Sequence, residues 1–218
     1  MTRYAPAALA VFSLTFMLAS VAPAGVIVID HFDDGPLSMG HNPDWVPTTI
    51  PVAANSSATT SQTGLNVLGG ERTSTLTKVG GSLWSPSLGV GYGSRASLSS
   101  FFGEIGSWMQ FAYGVSNDLN FDATANGTGF AFAVVGLTGD QDDSNPVRPI
   151  ELTITLETTG VGASTASTQL IADGDYFISF GSFVGGALFN DVDEMSFKFL
   201  ATGDATDFAL DAIQVQTT

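Results

Sequence analysis

From residue 25 onward, Gly, Asn, Asp and Pro recur at short intervals, and the segments between them alternate apolar and polar side chains with a period of two. That period belongs to a half-buried strand, whose successive side chains point to opposite faces of a sheet. In Glu151-Leu152-Thr153-Ile154-Thr155-Leu156-Glu157, the residues Leu152, Ile154 and Leu156 share one face while Thr153 and Thr155 take the other. Residues 175–181 repeat the pattern with Tyr176, Ile178 and Phe180, and Met195, Phe197 and Phe199 alternate with Ser196 and Lys198. Residues 129–137 are apolar at both parities, which predicts a strand central to one sheet and buried between layers. Further strands are predicted over 26–32, 71–79, 97–102, 107–114, 166–172 and 207–216, and no window after residue 24 has the 3.6-residue period of an amphipathic helix. About ten strands separated by turn residues predict an all-β fold, an antiparallel β-sandwich of jelly-roll type, in one domain over residues 25–218. Residues 36–63, rich in Pro, Ser, Thr and Ala without a period, read as a long surface excursion, and residues 139–146 as a polar loop.

Residues 1–24 follow a different rule. One early charge, Arg3, precedes an apolar run over residues 7–21 and the small-residue stretch Ala22-Pro23-Ala24, the layout of a secretory signal peptide cut before Gly25. The run is shorter than a membrane-spanning helix requires, so the expectation is an exported, extracellular or cell-surface protein with no membrane span after cleavage. Composition narrows the chemistry further. The chain has 6 Lys and Arg against 21 Asp and Glu, a net charge of -15 that would repel nucleic acid. It has no cysteine, which excludes disulfides, thiolate metal sites and a thiol nucleophile.

Three stretches together resemble secreted bacterial proteins of the kind that carry a PEP-CTERM sorting tail. They are Val28-Ile29-Asp30-His31-Phe32-Asp33-Asp34-Gly35 followed by Gly69-Gly70-Glu71-Arg72-Thr73; Asp118-Leu119 with Gly127-Thr128-Gly129-Phe130; and residues 176–183 with Phe189-Asn190-Asp191-Val192-Asp193 and Phe208-Ala209-Leu210-Asp211-Ala212-Ile213. The resemblance implies a jelly roll similar to carbohydrate-binding and galactose-binding-like domains. The Pro-Glu-Pro tail itself does not occur in the sequence, which shifts the expectation from retention by that route to free secretion or attachment through a partner.

The same resemblance implies terminal strands lying side by side with a structural calcium between them. Asp30, Asp33 and Asp34 close the first predicted strand and Asp204, Asp207 and Asp211 surround the last, so Asp30, Asp33 and Asp211 are the expected ligands. The inward parity moves from Phe208 and Leu210 to Ile213 and Val215, which predicts a β-bulge at Asp211-Ala212. The alternative, solvated strand-end acids that keep an anionic protein soluble, stands beside the calcium reading. Asp140, Asp142, Asp143 and Asn145 match the start of a calcium loop only loosely, since the sixth place, which needs glycine, holds Asn145.

Aromatic side chains in loops are the other expected site, because the apolar face of a sugar ring stacks on an aromatic plane. Trp45, Trp84 and Tyr92 lie in loop-like surroundings and are the expected glycan contacts, with plugging of the open ends of the sandwich as the competing role. Trp108, on a predicted strand, is expected in the core. His31 and His41 are the only histidines, and no nucleophile elbow accompanies them. The expected function is therefore non-enzymatic glycan binding at the cell surface or in the extracellular matrix. A self-associating structural exoprotein and a carboxylate-based polysaccharide hydrolase are the alternatives.

Overall fold

Strands form where the period of two is strongest, and their registers decide which residues meet. The computed structural model describes residues 25–40, 49–79, 86–91, 93–99, 106–138, 149–203 and 206–217. In chain order these form β1 (Ile27–Asp30), β2 (Leu37–Gly40), β3 (Thr49–Ile50), β4 (Ser56–Thr63), β5 (Glu71–Lys78), β6 (Ser87–Val90), β7 (Ala96–Ser99) and β8 (Trp108–Tyr113). They continue with β9 (Gly129–Thr138), β10 (Ile150–Thr158), β11 (Gly162–Leu170), β12 (Gly174–Ser179), β13 (Val184–Gly185), β14 (Glu194–Ala201) and β15 (Asp207–Gln216). Helical structure among the described residues is limited to two short 3-10 turns, at Leu68–Gly70 and Phe180–Ser182.

Two sheets result, and they make the jelly-roll sandwich that the periodicity predicts. The first runs β12-β9-β15-β7-β6-β2-β3, with β1 added beside β15; the second runs β13-β11-β10-β14-β8-β5-β4. Every pairing is antiparallel except the short one between β2 and β3. Apolar residues of one parity fill the space between the sheets: Ile29, Leu88, Leu98, Phe130, Phe132 and Leu210 from the first, Leu76, Met109, Phe111, Ile154, Phe197 and Phe199 from the second. Aromatic pairs bridge the layers, as where Phe130 meets Phe197 edge-on at 5.4 Å and Phe199 meets Phe208 at 5.5 Å.

Strand β15 organises the first sheet. One of its edges pairs with β9 from Asp207 to Gln216. The other edge is shared, β7 taking Asp207 to Leu210 and β1 taking Ile213 to Val215. The first and last strands therefore lie side by side, as expected. The bulge predicted at Asp211-Ala212 is also present: Leu210 pairs with Val134 and Ile213 with Phe132, so two residues of β15 face the single Ala133.

Three expectations need correction. The stretch 36–63 is not a structureless excursion, because it contributes β2, β3 and β4. Strand β4 is built almost wholly of Ser and Thr, and its hydroxyls pair across to β5 as Ser57–Thr77 (2.6 Å), Thr59–Thr75 (2.9 Å) and Ser61–Thr73 (2.7 Å). Strand β9 is not sandwiched between layers; it lies one strand from the sheet edge, beside β12. Trp108 is not in the core. It sits half-buried at the outward parity of the second sheet, with the Lys198 ammonium 4.5 Å from its ring centroid.

A buried charge pair joins the two sheets. Asp30, at the end of β1 in the first sheet, is 1% exposed, and Arg72, on β5 in the second, is fully buried. Arg72 Nη1 donates to Asp30 Oδ2 at 2.9 Å, and Tyr113 Oη on β8 donates to the same oxygen at 2.9 Å. Asp30 Oδ1 accepts the backbone N–H of Phe32 at 2.7 Å, holding a turn in which Phe32 takes a φ of 57°. Arg72 Nη2 donates to the carbonyls of Asp34 and Gly35 and to Gln62 Oε1, so one guanidinium closes the whole segment after β1. Gly35 has no room for a side chain: a Cβ there would lie 2.7 Å from Leu65 and 3.2 Å from Arg72, at a φ of +62°. Burial, together with the Asp30 charge, raises the Tyr113 hydroxyl pKa well above its ordinary value, which keeps it a donor.

Removing one partner leaves the other charge buried and alone. Arg72→Met is expected to lower the free energy of unfolding in urea by about 3–5 kcal/mol. Pairing it with Asp30→Leu is expected to recover part of that loss, and a double variant as unstable as the sum of the singles would contradict the coupling.

Candidate functional site

The outer face of the first sheet carries a groove whose floor is small because of what β9 presents there. With Phe130, Phe132 and Val134 turned inward, the outward positions of β9 are Gly129, Ala131 and Ala133. Taller neighbours rise on both sides. Strand β12 contributes Asp175 opposite Ala133 and Phe177 opposite Ala131. Strand β15 contributes Gln214 opposite Ala131 and Gln216 opposite Gly129. The bulge adds Asp211 and Ala212 beside Ala133, so a carboxylate stands on each side of that methyl group. This depression holds about 330 Å³.

The tip of the Phe177 ring sits over Gly129 of β9, where a side chain is missing. A Cβ on Gly129 would come within 2.4 Å of both the Ile178 carbonyl oxygen and Phe177 Cζ, so glycine is required by the close approach of β12 and leaves space for the ring. The depression continues past β15: a second hollow of about 420 Å³ shares Asp211, Ala212 and Gln214 and is walled by His31, Asp33 and Ser94. Together they make a groove that crosses the strands from β12 to the segment after β1. Arg95 Nε lies 3.1 Å from Asp211 Oδ1, and both side chains are exposed.

The sequence-predicted metal ligands do not gather. Asp30 is inside the sandwich with both carboxylate oxygens bonded to Arg72, Tyr113 and Phe32, while Asp33 and Asp211 stand on the groove wall. Asp34 accepts the N–H groups of Gly35 and Asn66. Asp207 opens β15, and Asp204 lies outside the described residues. Among the described residues no three His, Asp or Glu side chains come together at ligating spacing. The loose calcium-loop match at 140–145 also lies outside the described residues.

The expected glycan contacts Trp45, Trp84 and Tyr92 lie outside the described residues, as does His41. Phe177, Gln214 and Gln216 were not singled out from the sequence. One signal for them was legible: in Asp175-Tyr176-Phe177-Ile178, the aromatic Phe177 occupies the parity that a solvated strand gives to polar residues.

A third depression, of about 620 Å³, lies at one end of the other sheet and is lined by Asp118, Glu157, Asp193 and Glu194. Glu157 and Glu194 pair directly across β10 and β14, and Asp193 Oδ2 accepts the Thr159 N–H at 2.6 Å. Partial burial, with the Glu157 charge opposite, raises the Glu194 pKa above the ordinary carboxylate value.

The chain matches no protein-family model and no curated protein. Among solved structures it is similar to the family 11 carbohydrate-binding module from Clostridium thermocellum in complex with a β-1,3-1,4-mixed-linked tetrasaccharide. That match has 14% identity and a TM-score of 0.41 over 90% of this chain and 98% of the other. It is also similar to the family 11 module of a cellulosomal cellulase of Clostridium thermocellum, at 14% identity and a TM-score of 0.40 over 90% and 97% of the two chains.

Because Glu194 holds its proton more tightly in the folded chain, its charged form opposes folding. Glu194→Gln is expected to raise stability at pH 7 by about 0.2–0.5 kcal/mol, discounted for partial exposure. The gain should fade as pH falls through the raised value toward about 4.3, where the wild-type carboxyl is neutral as well. Thermal melts from pH 3.5 to 7 check this, and a gain that grows on acidification would contradict it.

Proposed function

We propose that this chain is an exported, non-enzymatic β-sandwich that binds a glycan along the groove on the outer face of its first sheet. The observation that carries the proposal is Phe177, laid over Gly129 with Asp175, Gln214 and Gln216 around it. A pyranose has an apolar face and a rim of hydroxyls, so it needs an aromatic plane with amide and carboxylate groups beside it. The Ala131 and Ala133 floor leaves depth for the ring, and the groove spans β12, β9, β15 and β1, about 14 Å at ordinary strand spacing. That extent suits an oligosaccharide segment better than a single sugar. Export is supported by the charge, apolar run and small-residue stretch of residues 1–24.

Native gels cast with soluble polysaccharides test the reading. Phe177→Ala is expected to weaken retardation by about five- to tenfold, from loss of an aromatic contact worth about 1–1.5 kcal/mol. Gln214→Ala, on the surface of β15, is expected to weaken it also while leaving the melting temperature unchanged. Wild-type retardation in both variants would remove the groove as the binding site.

A further inference from the structure

We infer that the groove selects its glycan by charge, favouring polymers of amino sugars with free amines over their N-acetylated or uncharged counterparts and excluding polyuronates. This rests on the reading of the groove as a glycan site and adds the class of glycan. The argument comes from where the charges of the chain end up.

Asp175 and Asp211 flank Ala133 from opposite sides, one on each strand next to β9. A sugar seated over Ala133 lies between two carboxylates whose strands are about 9–10 Å apart. Asp33 adds a third further along the wall. Basic residues balance them only in part. Among the described residues, Arg72 and Lys78 are buried, and Lys198 lies on the other sheet over Trp108. Of the described Lys and Arg side chains, Arg95 alone stands beside the groove, where it pairs with Asp211 and offsets that charge, while the His31 imidazole lines the far wall. A uronate entering the groove therefore meets like charge at Asp175 and Asp33, and a guanidinium already shared with Asp211. An ammonium meets the Asp175 carboxylate on one side and Asp33 further along the wall, and the net charge of -15 draws cationic polymers toward the surface from a distance.

The discriminating experiment measures binding of purified protein to a de-N-acetylated glucosamine polymer, the N-acetylated polymer of equal length, an uncharged glucose polymer and a polyuronate, at low and at 0.5 M salt in solutions that keep the amines protonated. At low salt the free-amine polymer is expected to bind tighter than the acetylated one by about three- to fivefold for each engaged carboxylate. High salt should close most of that gap, and the polyuronate should not bind. Asp175→Asn should narrow the gap, whereas Asp191→Asn, the same charge change at an exposed position outside the groove, should leave it intact. Equal binding of the two glucosamine polymers, or a gap that Asp191→Asn narrows as much as Asp175→Asn, overturns the charge selection. The glycan site itself fails separately, if Phe177→Ala leaves the binding of every polymer unchanged or if none of them binds.

Discussion

A carboxylate and a guanidinium buried between two sheets can persist only as partners, and this constraint governs how the chain is closed. Asp30 reaches Arg72 and Tyr113 across the sandwich, while Arg72 also fastens the carbonyls of Asp34 and Gly35 and the side chain of Gln62. With both its oxygens engaged, Asp30 is a structural group. The consequence reaches the surface, because the same contacts fix the turn through Phe32 that delivers His31 and Asp33 to the end of the groove. An interior charge pair thus sets the position of an exterior wall.

The second determinant is the single extra residue in β15. A strand without the bulge would carry one parity throughout, and either Phe208 and Leu210 or Ile213 and Val215 would be turned out of the core. The bulge keeps all four inside and leaves Asp211 and Ala212 together beside Ala133. The irregularity that preserves the core is the one that places a carboxylate on the groove. A further register shift between β1 and β15, after Val28, lets Ile29 be fully buried and Asp30 reach the interior.

Groove and core are also linked through β9. Its apolar character at both parities has two separate causes: Phe130, Phe132 and Val134 pack between the sheets, while Ala131 and Ala133 stay short so that the outer face is concave. Gly129 extends the logic, since its lack of a side chain leaves room for the tip of the Phe177 ring above it. Small residues on a sheet's outer face act here as an absence of material, and the neighbouring strands give that absence its shape.

Local patterning was sufficient for the all-β class, the sandwich, most of the long strands and the bulge at Asp211-Ala212, because each of these shows in the parity of neighbouring side chains within one strand. It was insufficient for β4, whose Ser and Thr residues carry no apolar period and are ordered by hydroxyl partners on β5. It was misleading for Trp108 and for Asp30, since parity reports that a side chain faces one way but not whether that side is core, groove or solvent. The meeting of Asp30 with Arg72, 42 positions away, and of Phe177 with Gly129 depends on the register between strands distant in the chain. Only the folded sheets set those registers, because an interstrand pairing is a property of two segments together and neither segment contains it alone.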